Sequence, residues 1–338
     1  VDNNGKTNGW MTTMKNDGTM LNHKKLLLDD NTPVELFEGN CNLSGNITIA
    51  GKVAGVSTQS FVTKLSSINY TPIWIRKFFH KNPVDEMAIG VFQDSLVSFA
   101  GRSGNEVQFG VITEGGSLPW SRTFSHPAIK KLVGIEGSYS GNTPIIMALN
   151  VMEGGKRKVL MLEHEPSNGV FKAAHFAGNN NNDEYSGTDI KSFNNRVILT
   201  GNYLESSSSS RKLFRHILYE TKKTETVHSY NGVPPVNDST KLVMSVAGEW
   251  LAWVPDKQEA VSFIRHPAYY QIGPEKGGTI DVTGAWETKA VAVMQDGGYL
   301  MGINLKDQSA IYLVKTDSIG RMAGCSTQTF DPGYQELI

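Results

Sequence analysis

Eight histidines are the first residues whose chemistry needs placing: His23, His80, His126, His164, His175, His216, His228 and His266. None sits in the His-Glu-x-x-His spacing that sets two imidazoles on one helix face for zinc. His164, His216 and His266 recur at similar places in the chain. Two readings stand for them: a ring of ligands holding a metal or anion at one end of the fold, or partly exposed histidines near turns. Arg215 and Arg265 adjoin two of these histidines, with Glu220 and Glu259 nearby in sequence as ion-pair partners. There is no Gly-x-Ser-x-Gly elbow and no P-loop, so acyl transfer and nucleotide hydrolysis lack their anchors. The glycine pairs 115–116, 154–155 and 277–278 read as turns between strands, not as phosphate cradles before helices. Asp29-Asp30 and Asp183-Glu184 lack the alternating ladder of a calcium loop. The stretch Lys15 to Met20 faintly matches an Asp-box turn, but Asn16-Asp17-Gly18 explains itself as a tight hairpin turn.

Two cysteines, Cys41 and Cys325, exclude a disulfide-dense scaffold and any multi-cysteine metal cluster, leaving one disulfide between them as the option. Four Asn-x-Ser/Thr sequons stand at Asn42, Asn46, Asn69 and Asn237. Both features lean toward an oxidising, exported setting. Trp250 and Trp253 flank a short apolar strand, read as core between sheets or as a platform for a sugar face. Ser206 to Ser210 and Asn179 to Asn182 read as polar surface tips. Glycoside hydrolysis would need two carboxylates about 5–10 Å apart, with Asp94, Asp296 and Glu249 as the candidates.

Composition narrows the classes further. The 338 residues carry 32 Lys+Arg against 33 Asp+Glu, a formal net charge of −1. That balance argues against a nucleic-acid binder relying on a basic surface, and against attachment to anionic lipid by charge. Apolar runs are far shorter than the ~20 residues a membrane span needs. No signal peptide opens the chain, which begins at Val1, so a targeting segment is read as already removed.

The elements that must hold these residues come from a repeat. Apolar residues alternate along short runs broken by Gly, Asn and Asp, a hairpin pattern with no sustained helical period. A third strand in each unit leads with a large apolar residue, at Trp10, Phe61, Phe109, Leu160, Phe214, Phe263 and Tyr312, with successive spacings of 51, 48, 51, 54, 49 and 49. A fourth strand carries aromatics at Trp74 and Phe78, Trp120 and Phe124, Phe171 and Phe176, and Tyr230. Four short strands every 40–50 residues are the mark of a β-propeller blade. The reading is an all-β fold, one β-propeller domain over residues 1–338, with seven four-stranded blades; six blades and a decorative N-terminal hairpin is the alternative count, and an evenly spaced β-sandwich the alternative architecture. The first strand of each hairpin, as in Lys241 to Ser245 and Ala290 to Met294, should be innermost, with Ala292 facing inward or between blades. Only nine residues precede Trp10, so the first blade should be completed by Tyr334 to Ile338 pairing beside Trp10 and closing the ring.

Phe61 to Leu65 with Trp74, and Asp296-Gly-Gly-Tyr-Leu-Met-Gly302 with Tyr312-Leu-Val-Lys-Thr-Asp-Ser-Ile-Gly320, resemble the bacterial β-propeller repeat often called the SBBP repeat. The last unit matches its pattern well, the second in part, and the middle units in strand rhythm only; Gly320 to Cys325 lacks the expected Trp. The resemblance implies an exported, cell-surface or adhesive setting and supplies no catalytic residues. The expected function is therefore a non-enzymatic exported interaction or structural module, for adhesion, glycan or protein binding, or as a subunit of a surface assembly. It would meet a protein or glycan partner at a propeller face, or a second copy of itself, without cofactor, metal, nucleic acid or membrane insertion. The alternative is a carbohydrate-active hydrolase or lyase with its site at a mouth of the central channel.

Overall fold

The computed structural model describes residues 9–15, 19–28, 31–41, 46–92, 96–137, 144–177, 182–193, 196–209, 211–219, 225–230, 240–244, 250–255, 261–266, 276–280, 282, 285–294, 296–305, 311–319, 321, 327–330 and 334–336. All regular structure in them is β-strand, in antiparallel meanders that follow the chain. The first sheet holds β1 (Trp10–Met14) and β2 (Met20–Lys25). Four-stranded sheets follow: β3 (Val34–Cys41), β4 (Ile47–Val53), β5 (Gln59–Leu65) and β6 (Pro72–Phe79); then β7 (Glu86–Phe92), β8 (Leu96–Ser103), β9 (Glu106–Thr113) and β10 (Trp120–Ser125); then β11 (Ile129–Gly137), β12 (Ile145–Glu153), β13 (Lys156–His164) and β14 (Phe171–Phe176). Next come β15 (Glu184–Phe193), β16 (Arg196–Leu204), β17 (Lys212–Tyr219) and β18 (Glu225–Tyr230); β19 (Lys241–Met244), β20 (Trp250–Pro255), β21 (Val261–His266) and β22 (Lys276–Ile280); and a three-stranded sheet of β23 (Ala285–Val293), β24 (Tyr299–Leu305) and β25 (Ile311–Thr316). Two short strands close the list, β26 (Thr327–Phe330) and β27 (Tyr334–Glu336).

The chain resolves into two compact units, Val1–Val151 with Met161–Ala174, and Met152–Leu160 with His175–Ile338. In the first, β3 packs against β7 and β7 against β11; in the second, β15 packs against β19 and β19 against β23. The first strands of successive sheets thus meet, as blade packing requires. Carboxylates fasten them. Glu38 accepts the Ile89 amide at 2.9 Å, Glu86 accepts that of Leu132 at 2.6 Å, and Asp189 accepts that of Leu242 at 2.8 Å. Glu38 and Asp189 sit at β-bulges, where the extra residue re-aims the side chain.

Middle strands are buried on both faces, which is why β4, β5, β8 and β12 read as apolar runs and not as strict alternation. One core in the first unit joins Phe61, Leu65, Val34 and Ile49, and another joins Phe78, Phe99, Met87, Ile89 and Val62. Phe263, Tyr299, Met301 and Ile303 make a core in the second. Six of the seven spaced anchors do lead a third strand, β5, β9, β13, β17, β21 and β25. The aromatics expected on fourth strands lie on β6, β10, β14 and β18.

The blade count is corrected. Among the described residues five sheets have four or more strands, not seven and not six. The expected closing strand is the reason. β27 pairs with β18, Tyr230 opposite Tyr334, and β26 pairs with β22, so the C-terminal segments extend two sheets that already have four strands. The strand of Trp10 has β2 as its partner, and Trp10 is 48% exposed. Ala292 is also corrected: strand alternation turns Val291 and Val293 to the core and leaves Ala292 exposed. Gly277 and Gly278 lie within β22, opposite Phe330 and Thr329, and are not a turn.

Candidate functional site

The three histidines of the ring reading fall on third strands, at offsets of four, two and three residues from Leu160, Phe214 and Phe263, and His164 belongs to the first unit while His216 and His266 belong to the second. His164 and His216 are buried within their units. His164 stacks obliquely on Phe109, its Nδ1 lies 3.3 Å from the Gly169 carbonyl, and burial lowers its pKa. Among the described residues no group of three His, Cys, Asp or Glu could hold a metal. Asp296 is an exposed turn residue, accepting the Gly298 amide and paired with Lys315 at 2.7 Å, which lowers its pKa. Asp94 and Glu249 lie outside the described residues, as do Glu220, Glu259, Cys325, Asn42 and Asn237. Cys41 is exposed at the end of β3. Asn69 is exposed and caps its own turn, and Asn46 is half-buried. Trp250 and Trp253 lie on β20, opposite Met244 and Lys241.

A cleft in the second unit gathers groups that the sequence reading passed over. It is lined by Arg157, Glu184, Tyr185, Asn202, Tyr203 and Arg211. Asp183, next to Glu184 in the chain, is buried, accepting the Tyr203 hydroxyl and the Ser206 amide, both at 2.9 Å. Lys158 donates to the Asp183 carbonyl at 2.9 Å and lies 5.7 Å from the centre of the Tyr185 ring. Burial, with the Asp183 charge beside them, raises both tyrosine pKa values; burial lowers that of Lys158. The cavity itself measures about 10 Å³, room for one water. That is far below the ~300 Å³ at which small-molecule pockets begin. These residues hold turns together and leave no place for a substrate.

The first unit carries a different arrangement, built twice. Trp74 donates its indole N–H to the Glu114 carbonyl at 2.8 Å, and Arg76 donates to that of Gly116. In the next sheet Trp120 donates to the Pro166 carbonyl at 2.7 Å, and Arg122 donates through Nε and Nη2 to that of Asn168. Each Trp-x-Arg on a fourth strand thus grips the turn after the third strand of the following sheet. The turns come close because Gly116 and Gly169 have left-handed φ of +80° and +69° and expose bare backbone to the indoles. Buried Lys64 adds a 2.6 Å bond to Glu114. The signal was present in sequence as Trp74-Ile-Arg76 and Trp120-Ser-Arg122, each followed by a glycine turn.

These outer strands also share a composition. The last strands β2, β6, β10 and β14 contain Lys24, Lys25, Arg76, Lys77, Arg122 and Lys172, and neither Asp nor Glu. The first strands β3, β7 and β11 contain Glu35, Glu38, Glu86 and Glu136, with Lys130 and Lys131 also on β11. In the first unit the carboxylates thus keep off the last strands. Arg76 and Arg122 are exposed, with backbone carbonyls as their bonded partners. Apolar side chains stand among them: Ile73 is 52% exposed and Phe79 72%. Such a surface can attract carboxylates and bury apolar groups together. Among the described residues no helix is long and apolar enough to cross a membrane.

No family model matches the chain, and no curated protein matches it. Among solved structures it is similar to the β-propeller domain of the Trilobed protease from Pyrococcus furiosus, with 10% identity over 90% of this chain and 98% of that one and a TM-score of 0.49. It is also similar to the WD40 domain of SCAP from fission yeast, with 10% identity over 97% and 82% and a TM-score of 0.49. A third likeness is to a Synechocystis apocarotenoid oxygenase mutant, with 12% identity over 90% and 74% and a TM-score of 0.46. None of these likenesses assigns a residue a role.

Proposed function

We propose that this chain, residues 1–338, is a non-enzymatic interaction module of propeller type, exported or displayed at a cell surface, that takes an acidic partner on the outer strands of its first unit. One observation carries the reading: β2, β6, β10 and β14 combine six cations and exposed apolar side chains with no carboxylate of their own, Lys172 among them pairing with Glu165 of the adjoining turn. Opposite charge steers a partner to such a surface, and apolar contact then holds it. Among the first-strand carboxylates Glu38, Glu86 and Asp189 accept backbone amides and Glu35 pairs with Lys52, structural tasks all. The exported setting is supported by the SBBP-like repeat and by exposed Asn69 in a sequon.

An array of acidic, neutral and basic glycans and peptides, run beside size-exclusion chromatography, tests ligand class and self-assembly together. Acidic probes should be retained at low salt and released as salt screens the pairing. A Lys24→Glu/Arg122→Glu variant should lose that retention by about tenfold or more, as charge reversal at a contact predicts. Retention that ignores the reversal, or no retention of any class, overturns the reading. Release of new reducing ends from a retained glycan overturns its non-enzymatic part.

A further inference from the structure

We infer that the outer edge of β6 takes up an extended protein segment of alternating acidic and apolar residues as an added antiparallel strand. This deepens the interaction reading above and rests on it. The backbone sets the geometry. His80 donates its amide to the Thr58 carbonyl at 2.9 Å, so Thr58 and His80 form a narrow, doubly bonded kind of pair. The β5–β6 register continues it through Ser60 with Phe78, Val62 with Arg76 and Lys64 with Trp74. The intervening residues Ile75, Lys77 and Phe79 therefore turn their N–H and C=O groups away from β5, toward the outer edge, as far as the register shift at Ile73. No further strand pairs with that edge among the described residues.

The chain itself shows what such edges accept. In the second unit β26 adds antiparallel to β22, and β27 adds antiparallel to β18, each as a fifth strand on the last strand of a sheet. Both come from chain remote in sequence, as a partner's segment would. β6 is the longest last strand of the first unit, with eight residues, and Pro72 blunts only its first position.

Side chains select the occupant. Trp74, Arg76 and Phe78 project from one face of β6, and Ile75, Lys77 and Phe79 from the other. An added strand with period two would set carboxylates level with Arg76 on one face and apolar groups beside Ile75 and Phe79 on the other. A second β6 is disfavoured, because Arg76 and Lys77 would meet their own charge. The recognition is strand addition, with main-chain bonds for affinity and alternate side chains for selection.

The probe is a fluorescein-labelled eight-residue peptide of alternating Glu and Val, read by anisotropy on the full chain. Its analogue with every backbone nitrogen methylated keeps the side chains and loses the donors. It should bind at least about tenfold more weakly, since several main-chain bonds are lost together. Phe79→Pro removes an outward N–H and should weaken binding similarly, whereas Phe79→Thr keeps it and should weaken binding less. Arg76→Glu should lose the Glu-Val peptide and gain its Lys-Val counterpart. Should Phe79→Pro misfold, the methylated peptide and the charge swap still decide. Equal binding of the methylated peptide overturns strand addition while leaving the interaction reading intact. Heparin bound without the peptide assigns the surface to polyanions and overturns the peptide proposal alone. Failure of the peptide, heparin and all acidic array probes together overturns both.

Discussion

Substituting Gly116 with alanine tests the grip of Trp74 on the neighbouring turn. Gly116 has φ +80°, and a Cβ built there lies 2.7 Å from Trp74 Cγ and 2.9 Å from Trp74 Cβ. Left-handed backbone costs an L-residue about 1–2 kcal/mol. Relieving the overlap requires the indole to move, an overpacking cost of about 1–3 kcal/mol. Moving it also stretches the 2.8 Å bond to the Glu114 carbonyl, worth about 0.5–1.5 kcal/mol. The expected loss is about 2.5–6.5 kcal/mol, or at least about 5 °C in the unfolding midpoint at 2–4 °C per kcal/mol. Two glycines of the same unit separate the contributions. Gly55 has φ +82° with nothing within 4 Å of its would-be Cβ, so Gly55→Ala meets the backbone cost alone. Gly115 is equally open without a left-handed φ, so Gly115→Ala should stay within about 0.5 kcal/mol of wild type. Urea titration followed by far-UV circular dichroism gives all three. If Gly116→Ala matches Gly55→Ala, the indole contact carries nothing and the clasp is a coincidence of packing.

Three further outcomes are expected. Glu114→Ala, which strands the buried Lys64 ammonium, should cost more than Lys64→Met, by about 1–2 kcal/mol after discounting for the exposure of Glu114; paired denaturation curves decide it, and equal losses refute it. Burial lowers the His164 pKa from 6.5, so the stability that neutral His164 supports is whole above pH 6.5 and fades as pH falls below it. Thermal midpoints at pH 7 and 5 should therefore differ less in His164→Phe than in wild type, the remaining slope belonging in part to His80, which burial shifts in the same direction. Deleting residues 331–338 removes β27 from the edge of β18 and should lower a calorimetric transition of the second unit by a few degrees, about 1 kcal/mol for so short a strand; an unchanged thermogram would show that β27 adds no stability.

The parts that read correctly from sequence are those set by local periodicity. Alternation of apolar residues and the near-50-residue spacing of Phe61, Phe109, Leu160, Phe214, Phe263 and Tyr312 place six third strands; a sheet must bury Phe61, Phe109, Phe214 and Phe263 wherever it sits, while Tyr312 keeps the spacing on an exposed face. Of the fourth-strand aromatics Phe78 is buried, whereas Phe171 and Phe176 are exposed. Residues whose role depends on a neighbouring sheet were less legible. Arg76 and Trp74 gain their meaning from Glu114 and Gly116 some forty residues on, and Asp183 from Tyr203 and Lys158 on two other strands.

By itself, then, the sequence determined an all-β chain of antiparallel meanders, since period-two burial and turn residues leave no other way to satisfy the backbone. Tertiary structure alone decided where the last strands go. Tyr334 to Glu336 and Thr327 to Phe330 could hydrogen-bond to any open edge, for main-chain donors and acceptors are the same on every strand. Their choice of β18 and β22 set the count at five sheets of four or more strands and left β6 and β10 as open last strands. Charge followed the same division: a net of −1 says nothing of location, and only the strand order shows that cations line the outer strands while carboxylates tie the first strands together.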